Sequence, residues 1–143
     1  MDPDQLFQIA NAIAMIGWIT LIIFPDKSWT NKLLTGVVIT LFAVVYTFII
    51  FTSITPGDFN NFSTLDGVMG LFTNEKGVLA GWIHYLAFDL MTGLYIVNNA
   101  RKFNINRWIL LPSLVFTFML GPFGLLLYFI IRSIKNKKYF HEF

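Results

Sequence analysis

Four apolar runs, each long enough to cross a bilayer as a helix, occupy most of this chain. They cover residues 6–24, 33–54, 78–97 and 108–131. A helix needs about 20 such residues to span roughly 30 Å of hydrocarbon. Inside lipid, a backbone must satisfy its own polar groups, so only helices and closed barrels are stable there. Unbroken runs of this length favour helices. The expected fold is all-α: a four-transmembrane-helix bundle forming one integral membrane domain over residues 1–143. Pro25-Asp26-Lys27 ends the first run and Thr55-Pro56-Gly57-Asp58 ends the second.

Composition narrows the function classes. Apolar residues make up 56% of the chain and charged residues 13%, against about 25% charged in soluble domains. There is no cysteine, which excludes disulfides, thiolate nucleophiles and thiolate metal sites. A net charge of +2 is too small to argue for nucleic acid, and the basic residues flank the spans as membrane proteins arrange them. Met1-Asp2-Pro3-Asp4 lacks the positive start of a signal peptide, so the first run is expected to remain as a span. Trp29, Trp82 and Trp108 fall near span ends, where indole rings favour the headgroup zone. Phe, Ile, Lys and Asn usage resembles that of an AT-rich bacterium, so the expected location is the bacterial inner membrane.

Between the second and third runs stands FNNFSTLDGVMGLFTNEKG, residues 59–77. Ser63 and Asp66 form a capping-box pattern. Leu65, Val68, Met69 and Phe72 then share one helical face. A short amphipathic helix over residues 63–72, lying at the interface or folding over the bundle as a lid, is expected. Membrane orientation is tied. With four crossings, either orientation leaves five Lys and Arg residues inside.

The third run, GWIHYLAFDLMTGLYIVNN (81–99), carries two ionisable groups at depth, His84 and Asp89. Such groups are costly in lipid and usually functional. On a helical projection, His84, Tyr85, Asp89, Thr92, Tyr95 and Asn99 fall within an arc of about 140°. Trp82, Ile83, Leu86, Leu90, Leu94 and Val97 occupy the opposite arc, which is expected to face lipid. His84 and Asp89 lie at the two edges of the polar arc, where they could flank one ligand group. A carboxylate at mid-bilayer is expected to be protonated or partnered. One histidine and one aspartate supply too few ligands for zinc, so neither a metal nor a cofactor is expected. Interhelical hydrogen bonding is the bland alternative for this row. In the fourth run, Pro122 is expected to kink the helix, with Gly121 and Gly124 opening space beside the kink for a neighbouring helix or a flat ligand.

WIHYLAFDL at 82–90, Gly93, and LGPFGLLLY at 120–128 resemble the plant abscisic-acid-deficient, or neoxanthin synthase-like, family. The likeness runs from about Phe62 to Arg132 and includes LDGVMGLF. It matches the family pattern at Trp82, His84, Tyr85, Asp89, Gly121, Pro122 and Gly124. Asn99 departs from it, standing where an acidic residue is expected. The resemblance implies a multi-pass protein of carotenoid metabolism that isomerises an epoxide end group. Such a reaction delivers a proton to oxygen and removes one from carbon. In this reading Asp89 is the acid and His84 the base, or the two roles are exchanged, with Tyr85, Thr92, Asn11, Trp82, Asn99, Gly121, Pro122 and Gly124 as substrate-binding residues. The expected partners are a carotenoid or other polyene lipid, membrane lipids, and a second copy or another carotenoid enzyme. Two further readings stay open: a non-catalytic carotenoid- or lipid-binding protein, and a small proton-coupled transporter carrying its proton on Asp89.

Overall fold

The computed structural model describes residues 2–53 and 55–136. The basic tail with Lys137, Lys138 and His141 lies outside the described residues, as does the last residue of the second run. Every described element is helical. Helix α1 covers Pro3–Ile23. Helices α2 (Ser28–Leu33) and α3 (Thr40–Ser53) join through a π-helical turn, Leu34–Ile39, into one continuous rod. In that turn the Thr40 hydroxyl reaches back five residues to the Thr35 carbonyl at 2.8 Å, a contact that suits the wider π register. A 3-10 stretch, Pro56–Ser63, leads into the short α4, Leu65–Leu71. Then come α5 (Glu75–Lys102), α6 (Arg107–Leu120) and α7 (Pro122–Asn136).

Among the described residues two helices are long and apolar enough to cross a membrane, α1 and the Ser28–Ser53 rod. The fourth expected span is not one helix. It breaks at Gly121, whose φ of +37° is easy for glycine and strained for other residues. The two halves, α6 and α7, pack against each other. Pro112, inside α6, leaves that helix continuous.

Helix α5 is central and packs against α1, α3, α6 and α7. This corrects the expected division of its faces. Of the arc assigned to lipid only Trp82 is exposed; Ile83, Leu86, Leu90, Leu94 and Val97 are buried, whereas Phe88 and Met91 beside the polar row are exposed. Hydrophobic periodicity could not tell the two apart, because lipid and a helix bundle's core are equally apolar. Two clusters form the core. One gathers Trp18, Leu21, Leu90, Leu94 and Tyr128, and the other Ala10, Ala14, Phe42, Ile83 and Leu86. The Trp18 indole lies flush on Gly93, where an added Cβ would stand 2.6 Å from its ring. The outer surface is apolar too: Ile16, Phe48, Phe51, Met119 and Ile134 are all exposed.

The segment between the rod and α5 forms a cap over their adjoining ends. Thr64 is the N-cap of α4, its hydroxyl accepting from Gly67 N at 3.1 Å. Ser63, the expected cap, instead donates to the Asn60 carbonyl at 2.6 Å. Leu65, Met69 and Phe72, three of the four residues of the predicted apolar face, are exposed.

Candidate functional site

A cavity of about 610 Å³ lies between the ends of α3 and α5 and the cap. That volume is within the 300–1,000 Å³ range of small-molecule sites. Ile49, Ile50, Phe62 and Phe72 give it apolar walls, and Tyr46, Ser53 and His84 bring polar groups to it. Ser53 Oγ is buried and has no hydrogen-bond partner, so a ligand hydroxyl or carbonyl would complete it. His84 lies about 14 Å along α5 from its first residue. Its ring stacks on Phe88 at 4.5 Å between centroids and meets Tyr46 at 5.5 Å. Neither contact uses the imidazole nitrogens as hydrogen-bonding groups, which leaves them for a ligand. Gly81, beneath the Phe72 ring, lets the cap sit close: an added Cβ would stand 2.7 Å from that ring.

Asp89 does not line this cavity. Its carboxyl packs against Gly121 at the turn between α6 and α7, and a Cβ on Gly121 would collide with it. It is 8% exposed, and its Oδ2 has no hydrogen-bond partner. One turn earlier on α5, the Tyr85 hydroxyl donates to the carbonyls of Met119 and Phe118 at 2.9 and 3.3 Å. The pair thus attends both broken ends. A donor meets the orphan carbonyls that close α6, and a carboxyl sits beside the N-terminus of α7, where helix dipoles favour negative charge.

The remaining predicted residues separate in the same way. Asn11 and Trp82 pair with each other, Trp82 Nε1 donating to Asn11 Oδ1 at 2.8 Å. The Thr92 hydroxyl donates back to the Phe88 carbonyl within its own helix at 2.8 Å. Asn99 is buried and accepts through Oδ1 from the Tyr128 hydroxyl at 2.5 Å and from Arg132 Nη1 at 3.0 Å. Gly124 faces Ser113 and Thr117 of α6 so closely that a Cβ would overlap their backbone. It therefore serves close helix packing and leaves no space there for a flat ligand. Pro122 opens α7, where its missing N–H is no loss.

Residues that the sequence did not single out for the site are Ser53, Phe62 and Lys76, and Phe72 was marked only as part of an apolar helix face. No short pattern assigns them to one site, since they meet only when the cap folds over the rod.

The cavity and the α6–α7 turn both lie inside one family match. A family model described as ABA DEFICIENT 4-like matches residues 5–128. The chain belongs to the ABA DEFICIENT 4-like family. The match runs from the first turn of α1 to Tyr128 and so includes the cap, the cavity and the α6–α7 turn. Among characterised relatives, the chloroplastic protein ABA DEFICIENT 4 of Arabidopsis thaliana is 23% identical over 147 residues. That alignment takes in 92% of this chain and 66% of the relative, so the chain spans a little under two thirds of the relative's length. No solved structure matches the chain.

Proposed function

We propose that this ABA DEFICIENT 4-like protein is a multi-pass membrane protein that acts on the end group of a carotenoid or related polyene. The observation that carries the reading is the capped cavity of about 610 Å³. It combines apolar and aromatic walls with an imidazole and an unpartnered serine hydroxyl. An oxygenated polyene ring has the same division: a bulky apolar body and one or two polar atoms. The exposed apolar girdle on the outer helices supports residence in lipid, and the two long apolar helices support spanning it.

In this reading His84 moves the proton. A neutral imidazole can take a proton from a ring carbon and return it to an oxygen, a contribution of about 10²–10⁴ in rate. Ser53 and Tyr46 orient the oxygen. Asp89 supports the α6–α7 turn rather than the reacting ring. The family resemblance supplies the carotenoid class, and an epoxide end group is the substrate that such acid–base chemistry suits.

A second reading has its own observation. His84 and Asp89 face different neighbours, and among the described residues no carboxyl lines the cavity with the imidazole. A site with one proton-moving group suits binding and presentation of a pigment as well as isomerisation.

Expression in a bacterium that makes several carotenoids distinguishes the two. A new product that disappears in His84→Ala and persists in Asp89→Asn supports the enzyme. Pigment that copurifies with the protein, without a new product, supports the binding protein. Loss of product in Asp89→Asn, with the fold unchanged, would return Asp89 to the chemistry. If neither product nor bound pigment is found, both readings fail.

A further inference from the structure

Helix α6 is too short to cross a bilayer: its 14 residues rise about 21 Å, against roughly 30 Å of hydrocarbon. The chain beyond it turns back. Three contacts along α5 and the loop after it set the direction of α7. Asp89 meets Gly121 at the turn. Ten residues further along α5, Asn99 meets Tyr128 and Arg132. Beyond the end of α5, the Asn104 carbonyl accepts from Lys135 Nζ at 2.8 Å. Helix α7 therefore ends beside the loop from which α6 sets out.

We infer that α6 and α7 form a re-entrant hairpin that enters and leaves on the cytoplasmic face, so that the chain crosses the membrane three times and the His84 cavity receives its ligand from the opposite leaflet. The inference rests on the membrane reading above and adds the side of access.

Charge supports the orientation. Four crossings left the Lys and Arg count tied, and a hairpin unties it. Lys27 precedes α2 and Lys32 lies within it, Arg101 and Lys102 end α5, Arg107 opens α6, and Arg132 and Lys135 lie in the last turns of α7. All seven gather at the hairpin end. Among the described residues only Lys76 lies at the cap end, with Asp2, Asp4, Asp66 and Glu75. Cytoplasmic loops carry the excess of Lys and Arg. The cap and its cavity, at the acidic end, then face the other side. The hairpin tip is covered as the lipid environment demands, by Tyr85 on the α6 carbonyls and Asp89 on Gly121.

The chain has no cysteine, so single cysteines report topology directly. Glu75→Cys, Lys27→Cys, Lys102→Cys and Lys135→Cys are expressed in bacteria and treated with a membrane-impermeant maleimide. Glu75→Cys should label in intact cells. The other three should label only after permeabilisation. Lys32→Cys and Ile134→Cys replace any variant that does not accumulate in membranes. Opposite behaviour of Lys102→Cys and Lys135→Cys would overturn the hairpin. Labelling of both in intact cells, or protection of Glu75→Cys, would overturn the side of access. The labelling requires no pigment, so topology and carotenoid chemistry can fail separately.

Discussion

The Asp89 carboxyl and the backbone of Gly121 touch at the turn between α6 and α7, with no room for a side chain between them. Gly121 has φ +37°, and its conformation ends one helix and begins the next. The contact ties the costliest residue of α5 to the most unusual backbone of the following pair. Both features of Gly121 bear on substitution. Gly121→Ala adds backbone strain of about 1–3 kcal/mol and a collision with Asp89. Thermal unfolding in detergent, followed by tryptophan fluorescence, should show a clear drop in midpoint. Gly36→Ala, where a Cβ meets nothing within 4 Å, should leave the midpoint unchanged or raise it.

Asn99 joins α5 to α7 by accepting from both Tyr128 and Arg132. Asn99→Leu removes that acceptor from two buried donors and should cost about 2–4 kcal/mol. Asn99→Asp keeps the acceptor and adds a charge opposite Arg132, so it should retain most of the stability. Denaturant melts of the two variants side by side test this. Equal losses would show that the hydrogen bonds contribute little.

Trp18 covers Gly93 across the α1–α5 contact. Gly93→Ala pushes the indole away, an overpacking cost of about 1–3 kcal/mol. The emission spectrum should shift as Trp18, 2% exposed in the native fold, meets a new environment. An unchanged spectrum and midpoint would mean that the two helices separate freely.

Thr64 caps α4 through Gly67 N. Thr64→Ala should weaken the cap by about 1 kcal/mol and increase proteolytic cutting within residues 56–74. Ser63→Ala should have less effect on α4, since its hydroxyl bonds Asn60 outside that helix. The reverse order would make Ser63 the true cap.

At the cavity, His84→Ala should reduce product by about a hundredfold or more if the imidazole moves a proton. Ser53→Ala should hold or slightly raise stability, because its buried hydroxyl has no partner without ligand. The same variant should weaken pigment binding. Wild-type binding by Ser53→Ala would remove the hydroxyl from the site.

Much of this protein was legible in local residues. Length and hydropathy of residues 6–24 and 33–54 anticipated α1 and the Ser28–Ser53 rod, since a long apolar run has few alternatives to a helix. The 59–77 segment announced a short helix by its spacing, one residue away from the observed cap. The motif residues His84, Asp89 and Gly121 stood out, and the family match contains all three. What they touch was not legible. An apolar run broken by Gly-Pro reads the same whether it kinks and continues or turns back, because lipid and protein core satisfy the same side chains. Only tertiary packing decided that α7 returns along α5 to reach Asn104. Only packing decided that Asp89 meets Gly121 while His84 meets the cavity. The two groups share one arc of one helix, but five residues of rise and rotation hand each to a different neighbour.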